Sequence, residues 1–224
     1  MPASMNDEGW LIVDTETDGV MTPIHAVEIA AQKMRGWQRD GAPFRVLLNH
    51  DVRIDPGAEA VHGYSRAYLR QHGSLPREAH AAFLAYAGDL PMVAYNLSFD
   101  WDRVLHPEYA RLGVPVAGRR GFCALTLSRR VVRDMPNYRL DTLKAHYRLN
   151  LGGRSHQGHQ DVETVTSLFE QVLAPTISGV GINGFAAVAD FARRTPVHSC
   201  LEFIHGGAAL PKATRGVRRV RRSS

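Results

Sequence analysis

The stretch Trp10-Leu11-Ile12-Val13-Asp14-Thr15-Glu16-Thr17-Asp18-Gly19 constrains this chain more than any other. Its apolar, partly β-branched start reads as a short buried strand that ends as it delivers Asp14 and Glu16. Side chains alternate faces along an extended chain, so the two acids share one face. Two carboxylates held side by side repel unless protonated or bridged by a cation. Magnesium and manganese suit that role because they take oxygen ligands and tolerate open water positions, whereas zinc usually recruits His and Cys. Taken alone, the same residues also read as a strand running into an acidic turn, Thr17-Asp18-Gly19 being good turn chemistry.

With 224 residues, 44% of them hydrophobic, the chain can bury one substantial core and a small appendage. The formal charge of +5 is concentrated at the end, where Lys212, Arg215, Arg218, Arg219, Arg221 and Arg222 follow one another closely. Such a tail reads as a solvated, disordered end or as a salt-sensitive contact with phosphates. Cys123 and Cys200 lack any C-x-x-C spacing, which argues against structural zinc and a disulfide framework. The start lacks a basic segment followed by an apolar core, and no apolar run approaches the ~18 residues of a membrane span. A cytoplasmic protein without a membrane partner is expected.

After the first strand, 26–34 and 44–48 read as strands of an antiparallel meander, and 54–63 as a Pro- and Gly-punctuated loop. Helices are expected from Ser65 to about Gln71 and from Pro76 to about Gly88. Strand 92–95 then turns through Asn96-Leu97-Ser98-Phe99-Asp100 into a helix restarted by Pro107 and ended by Gly113. A strand over 121–125, helices over 127–133 and 140–147, and a last helix opening near Asp161 and stopped by Pro175 complete a mixed α/β pattern. Beyond it, Phe185, Val188 and Ala192 mark one amphipathic helix between Gly184 and Pro196.

Taken together, Asp14-x-Glu16, Asn96-x-x-Phe99-Asp100 and His156-x-x-x-x-Asp161 resemble the three motifs of the DEDDh branch of the DEDD 3′ to 5′ exonucleases. Val27-Glu28-Ile29, Ala60-Val61-His62-Gly63 and Leu140-Asp141-Thr142-Leu143 are secondary matches. The resemblance implies a ribonuclease-H-like α/β/α fold with a five-stranded mixed sheet. The resemblance covers an exonuclease domain over 8–173; outside it, helical spacing and charge give a helical extension over 174–211 and a basic tail over 212–224.

By the same resemblance, Asp14, Glu16, Asp100 and Asp161 hold two Mg2+ or Mn2+ ions, and His156 is the general base, a role suited to a side chain titrating near neutral pH. His159 is read as a solvent-facing or helix-start histidine, and the remaining histidines, among them His25, His50 and His80, as structural or solvent-facing. Thr17, Gly19, Val20, His62 and Phe99 would grip the terminal nucleotide. The implied reaction is metal-dependent release of nucleoside 5′-monophosphates from the 3′ end of single-stranded DNA or a frayed duplex. The partners implied are a nucleic acid 3′ end, with a polymerase or a second copy of the chain as a protein partner.

Other readings are an exoribonuclease, a binding or polymerase-associated module whose nuclease site has decayed, and a carboxylate-pair glycosidase. A decayed module would be expected to lack one of the motif residues, and none is missing; a glycosidase has no use for the His156 and Asp161 pair. Asp18, where many relatives carry Thr, Leu97, where Ala is common, and the loop beginning at Met21 and Thr22 depart from the family pattern.

Overall fold

A computed structural model describes residues 8–116, 119–150, 152 and 156–211. The basic tail therefore lies outside the described residues. The first strand, β1 (Gly9–Thr17), is the pivot of a mixed sheet. It pairs antiparallel with β2 (Ala26–Arg35) along its whole length. The far edge of β2 is shared by β3 (Gln38–Arg39) and β4 (Phe44–Leu47), so the sheet has six strands in five lanes. On the other side of β1 lies β5 (Pro91–Ala94), parallel to it, followed by β6 (Arg119–Cys123), parallel to β5.

Alternation along β1 sorts its side chains into two cores. Trp10 and Ile12 enter one with Ala30, Met34, Phe122 and Phe169, while Leu11 and Val13 enter the other with Ile29, Ala31, Phe83 and Trp101. The second core is covered by α3 (Pro76–Ala87), by a π-helical segment Ser98–Leu105 and by α4 (His106–Leu112), which Gly113 ends in the left-handed conformation. Pro107 falls in the first turn of α4, as the restart predicts. Leu97 is fully buried in this layer, next to the segment carrying Asp100.

Over the first core lie α5 (Ala124–Val131), α6 (Leu140–Tyr147) and α7 (Gly158–Leu168). The layers are thus α/β/α, a ribonuclease-H-like arrangement. Parity has one consequence for chemistry: Asp14 and Glu16 extend the Trp10 and Ile12 face and so look toward α7, whereas Thr15 looks toward the Ser98–Leu105 segment.

Three expectations change. Residues 54–63 are not a loop: they contain α1 (Pro56–His62), capped by Asp55, whose Oδ1 accepts from Gly57 N at 2.8 Å. Asp followed by Pro is an N-cap and N1 signature that the surrounding Gly and Pro obscured. It is followed by α2 (Arg66–His72), capped by Ser65. Nor does Pro175 stop the last helix, because the chain passes through a π turn, Phe169–Leu173, into α8 (Ala174–Gly179), where Pro175 sits in the first turn.

The region after it carries two helices, α9 (Phe185–Phe191) and α10 (Val197–Gly206). Val188, Phe191, Cys200 and Ile204 join the first core, and the Phe185 ring lies 5.1 Å from that of Phe122. Both cysteines are free. Among the described residues no helix is long and apolar enough to cross a membrane.

The β5 to β6 contact sets a tight requirement. A Cβ at Gly121 would stand 2.5 Å from the Met92 carbonyl oxygen, a backbone atom that cannot swing away. Gly121→Ala is expected to destabilise the protein by about 1–3 kcal/mol, read as a lower urea midpoint at unchanged slope; an unchanged midpoint would show that the two strands separate freely.

Candidate metal centre and nucleotide pocket

Two elements bring the triad of acids together. The end of β1 supplies Asp14 and Glu16, and the first turn of α7 supplies Asp161. One carboxylate oxygen from each of these three residues lies within 4.8 Å of the other two. Asp100 sits behind them. It is buried, and its Oδ1 accepts from Thr15 N at 3.0 Å and Thr15 Oγ1 at 2.8 Å, which ties it to the backbone between the two acids of β1. Asp100 therefore borders the triad, with one oxygen already engaged, and does not join it.

The electrostatics are those of crowded, buried carboxyls. Burial first, then repulsion from Asp100, Glu16, Asp161 and Glu28, pushes Asp14 well above the usual carboxylate range. Glu16 is pushed up to about 8 by burial and by Asp161, Glu28 and Asp100. Burial takes Asp100 up to about 7 against the opposing hydrogen bonds from Thr15, and Asp161 up to about 6 against the pull of His156. Carboxylates so arranged accept either protons or a bridging metal. The triad offers only carboxylate oxygens, a donor set of the kind that hard divalent cations take.

His156 is exposed and has φ +61°, a left-handed conformation unusual outside glycine. Its backbone N–H donates to Asp161 Oδ2 at 3.2 Å, while its ring Nε2 lies 3.4 Å from Asp141 Oδ2. The Leu140-Asp141-Thr142-Leu143 match thus supplies the ring's partner. His159 opens α7 but does not face solvent freely: Nδ1 meets the buried Glu28 Oε1 at 3.1 Å, which makes Nδ1 the protonated nitrogen. His50 and His80 flank the buried Glu108 at 2.6 and 3.4 Å, and His25 bonds Asp18 at 2.8 Å. Asp18 thereby fastens the loop after β1, a use its departure from the family pattern left open.

Beside the triad opens a cavity of about 720 Å³. Thr17, Gly19, Val20, His62 and Phe99 all line it, together with Glu16. His62 is buried, with Nε2 3.2 Å from the Thr17 carbonyl. Val61, from the same secondary match as His62, also lines it, as do residues that carried no motif signal, notably Met21 and Arg53. Met21 is 82% exposed, a large apolar side chain held open to solvent at the cavity rim.

The exonuclease family model, of the RNase T type, matches residues 11–169. The chain belongs to the exonuclease family. This exonuclease is 30% identical over 158 residues to the DNA polymerase III subunit epsilon of Escherichia coli, covering 66% of this chain and 64% of the relative. It is 28% identical over 205 residues to the PolC-type DNA polymerase III of Latilactobacillus sakei, covering 86% of this chain but only 14% of that protein. It thus spans less than two thirds of the length of either relative. Among solved structures, E. coli exonuclease I in complex with a dT13 oligonucleotide aligns at a TM-score of 0.66 and 17% identity, over 79% of this chain and 44% of that one. Exonuclease X in complex with 5′-overhanging duplex DNA aligns at 0.59 and 24% identity, over 82% and 99%. The exonuclease motifs quoted from the sequence all fall inside the matched segment.

Proposed function

We propose that the chain is a DEDDh-type 3′ to 5′ exonuclease that hydrolyses single-stranded DNA or a frayed 3′ end to nucleoside 5′-monophosphates. The observation that carries this reading is the convergence of Asp14, Glu16 and Asp161, with Glu16 also lining the cavity formed by Val20, His62 and Phe99. The DNA-bound neighbours and the polymerase subunits among the relatives support a DNA 3′ end as substrate and a polymerase as partner.

In this mechanism the cavity takes the terminal nucleoside, with Phe99 and the exposed Val20 and Met21 offering apolar contact. The scissile phosphate then lies against the triad. Asp14, Glu16, Asp161 and Asp100 would hold two divalent cations, which would supply charge stabilisation for the hydrolysis. His156 takes the proton of the attacking water, and Asp141 orients the ring.

The test is digestion of matched 5′-labelled DNA and RNA single strands with Mg2+, with Mn2+ and with chelator. A cation-dependent ladder that shortens from the 3′ end, faster on DNA, is expected, with Asp161→Asn inactive and His156→Ala slowed by about 10²–10⁴-fold. A faster RNA ladder would make the chain an exoribonuclease. Binding without cleavage would support a decayed module.

A further inference from the structure

A further buried carboxylate stands beside the triad and takes no part in the reaction described. Glu28 lies directly across the ladder from Glu16, on the face that looks toward α7, and its side chain is wholly shielded from solvent. Its oxygens receive five hydrogen bonds. Oε1 accepts from Arg45 Nε at 2.7 Å, His159 Nδ1 at 3.1 Å and His159 N at 3.3 Å. Oε2 accepts from Tyr64 Oη at 2.7 Å and Gly158 N at 3.0 Å.

Gly158 and His159 are the first two residues of α7, whose N–H groups have no partner within the helix, so Glu28 satisfies them from the sheet. The approach is close: a Cβ at Gly158 would lie 3.3 Å from Glu28 Cδ and 3.4 Å from Asp14 Oδ2. In the other direction the Tyr64 ring stacks on His62 with centroids 5.0 Å apart, and His62 lines the nucleotide cavity. Arg45 Nη2 also donates to Tyr64 Oη at 2.9 Å.

An ionised Glu28 adds repulsion to Asp14 and Glu16. Burial alone would raise its own pKa, but the hydrogen bonds from Tyr64, Arg45 and His159, with the Arg45 charge, hold it below the usual range. The five hydrogen bonds join Glu28 at once to Arg45, to Tyr64 and to the start of α7.

We propose that Glu28 is a positioning residue, on the exonuclease reading above: clamped by Arg45 and Tyr64, it fixes the first turn of α7, and with it Asp161 and the His156 N–H, against Asp14 and the nucleotide cavity. The pocket side chain His62 and the metal ligand Asp161 are then connected through Tyr64 and Glu28.

The experiment compares Glu28→Gln and Tyr64→Phe with the wild type below their melting transitions. It measures kcat and KM on 5′-labelled single-stranded DNA, and Mn2+ affinity from the paramagnetic signal of the free ion. Partners one layer behind a metal ligand typically matter by about 10–100-fold in activity or metal affinity. Glu28→Gln is expected to lower kcat and Mn2+ affinity within that range while KM moves by less than about twofold. Tyr64→Phe, which removes one hydroxyl, shifts both the same way by less, and carries the test if Glu28→Gln does not fold. Wild-type kcat and Mn2+ affinity in the folded variants, with only a lower melting temperature, would overturn the proposal. If the wild type binds Mn2+ but cuts nothing, while Glu28→Gln weakens the binding, the exonuclease reading falls and the positioning role stands.

Discussion

Asp14→Asn is expected to lose about 10³-fold or more of nuclease turnover without losing the fold. Asp14 lies between Glu16 on its own strand and Asp161 on α7, and each of the other acids acts on it electrostatically. Replacing it removes charge from the centre of the cation site, so the remaining acids cannot act as a unit, and the effects of such groups on rate are far from additive. Stability should move the other way. In chelator at high pH a neutral amide carries no charge for burial and the surrounding acids to penalise, so the melting temperature should hold or rise. Single-turnover cleavage and thermal melts of one preparation measure both. A variant that cleaves within about tenfold of wild type would remove Asp14 from the chemistry.

Chelated protein should lose stability as pH rises through the neutral range, and Mg2+ should return it. Glu16 is raised from 4.5 to about 8, Asp100 from 3.8 to about 7 and Asp161 from 3.8 to about 6. Between those values the folded chain binds more protons than the unfolded one, so stability is highest below about pH 4 on this account and falls until about pH 8. Glu28 and Glu108 run oppositely, Glu108 being lowered to about 2; their stabilisation is lost only as pH falls below the ordinary carboxylate range, outside the window. A cation at a hundred times its dissociation constant contributes about 2.7 kcal/mol, which for a chain of this size raises the melting temperature by roughly 5–10 °C. Melts from pH 5 to 8, with chelator and with Mg2+, measure the difference. Identical curves would show that the acids hold no cation.

The sheet and its acids were legible because they rest on short-range rules. Alternation along Trp10 to Glu16 is enough to set two carboxylates on one face, and an apolar stripe on Val162 and Val165 is enough to turn Asp161 inward. What escaped depends on contacts between distant segments. No local signal says that Asp100 spends one oxygen on Thr15, or that His159 would find Glu28 across the fold. The helix Pro56–His62 was missed for a different reason: its cap, Asp55, sits among glycine and proline residues that punctuate loops equally well. Arg53 and Met21 enter the cavity wall only because α1 and the loop after β1 meet there, which no spacing rule encodes.

The split of the triad between the first strand and the seventh helix also bears on how the chain comes into being. Asp14 and Glu16 leave the ribosome early and Asp161 only after most of the sheet has been made, so the cutting centre is assembled from contacts of large sequence separation. A nascent or half-folded chain carries a nucleic-acid pocket without the means to cleave. Seating α7 brings Asp161 against acids that repel it, a contact that a bound divalent cation would favour. On the proposed exonuclease reading, the cation that serves hydrolysis would also favour completion of the site.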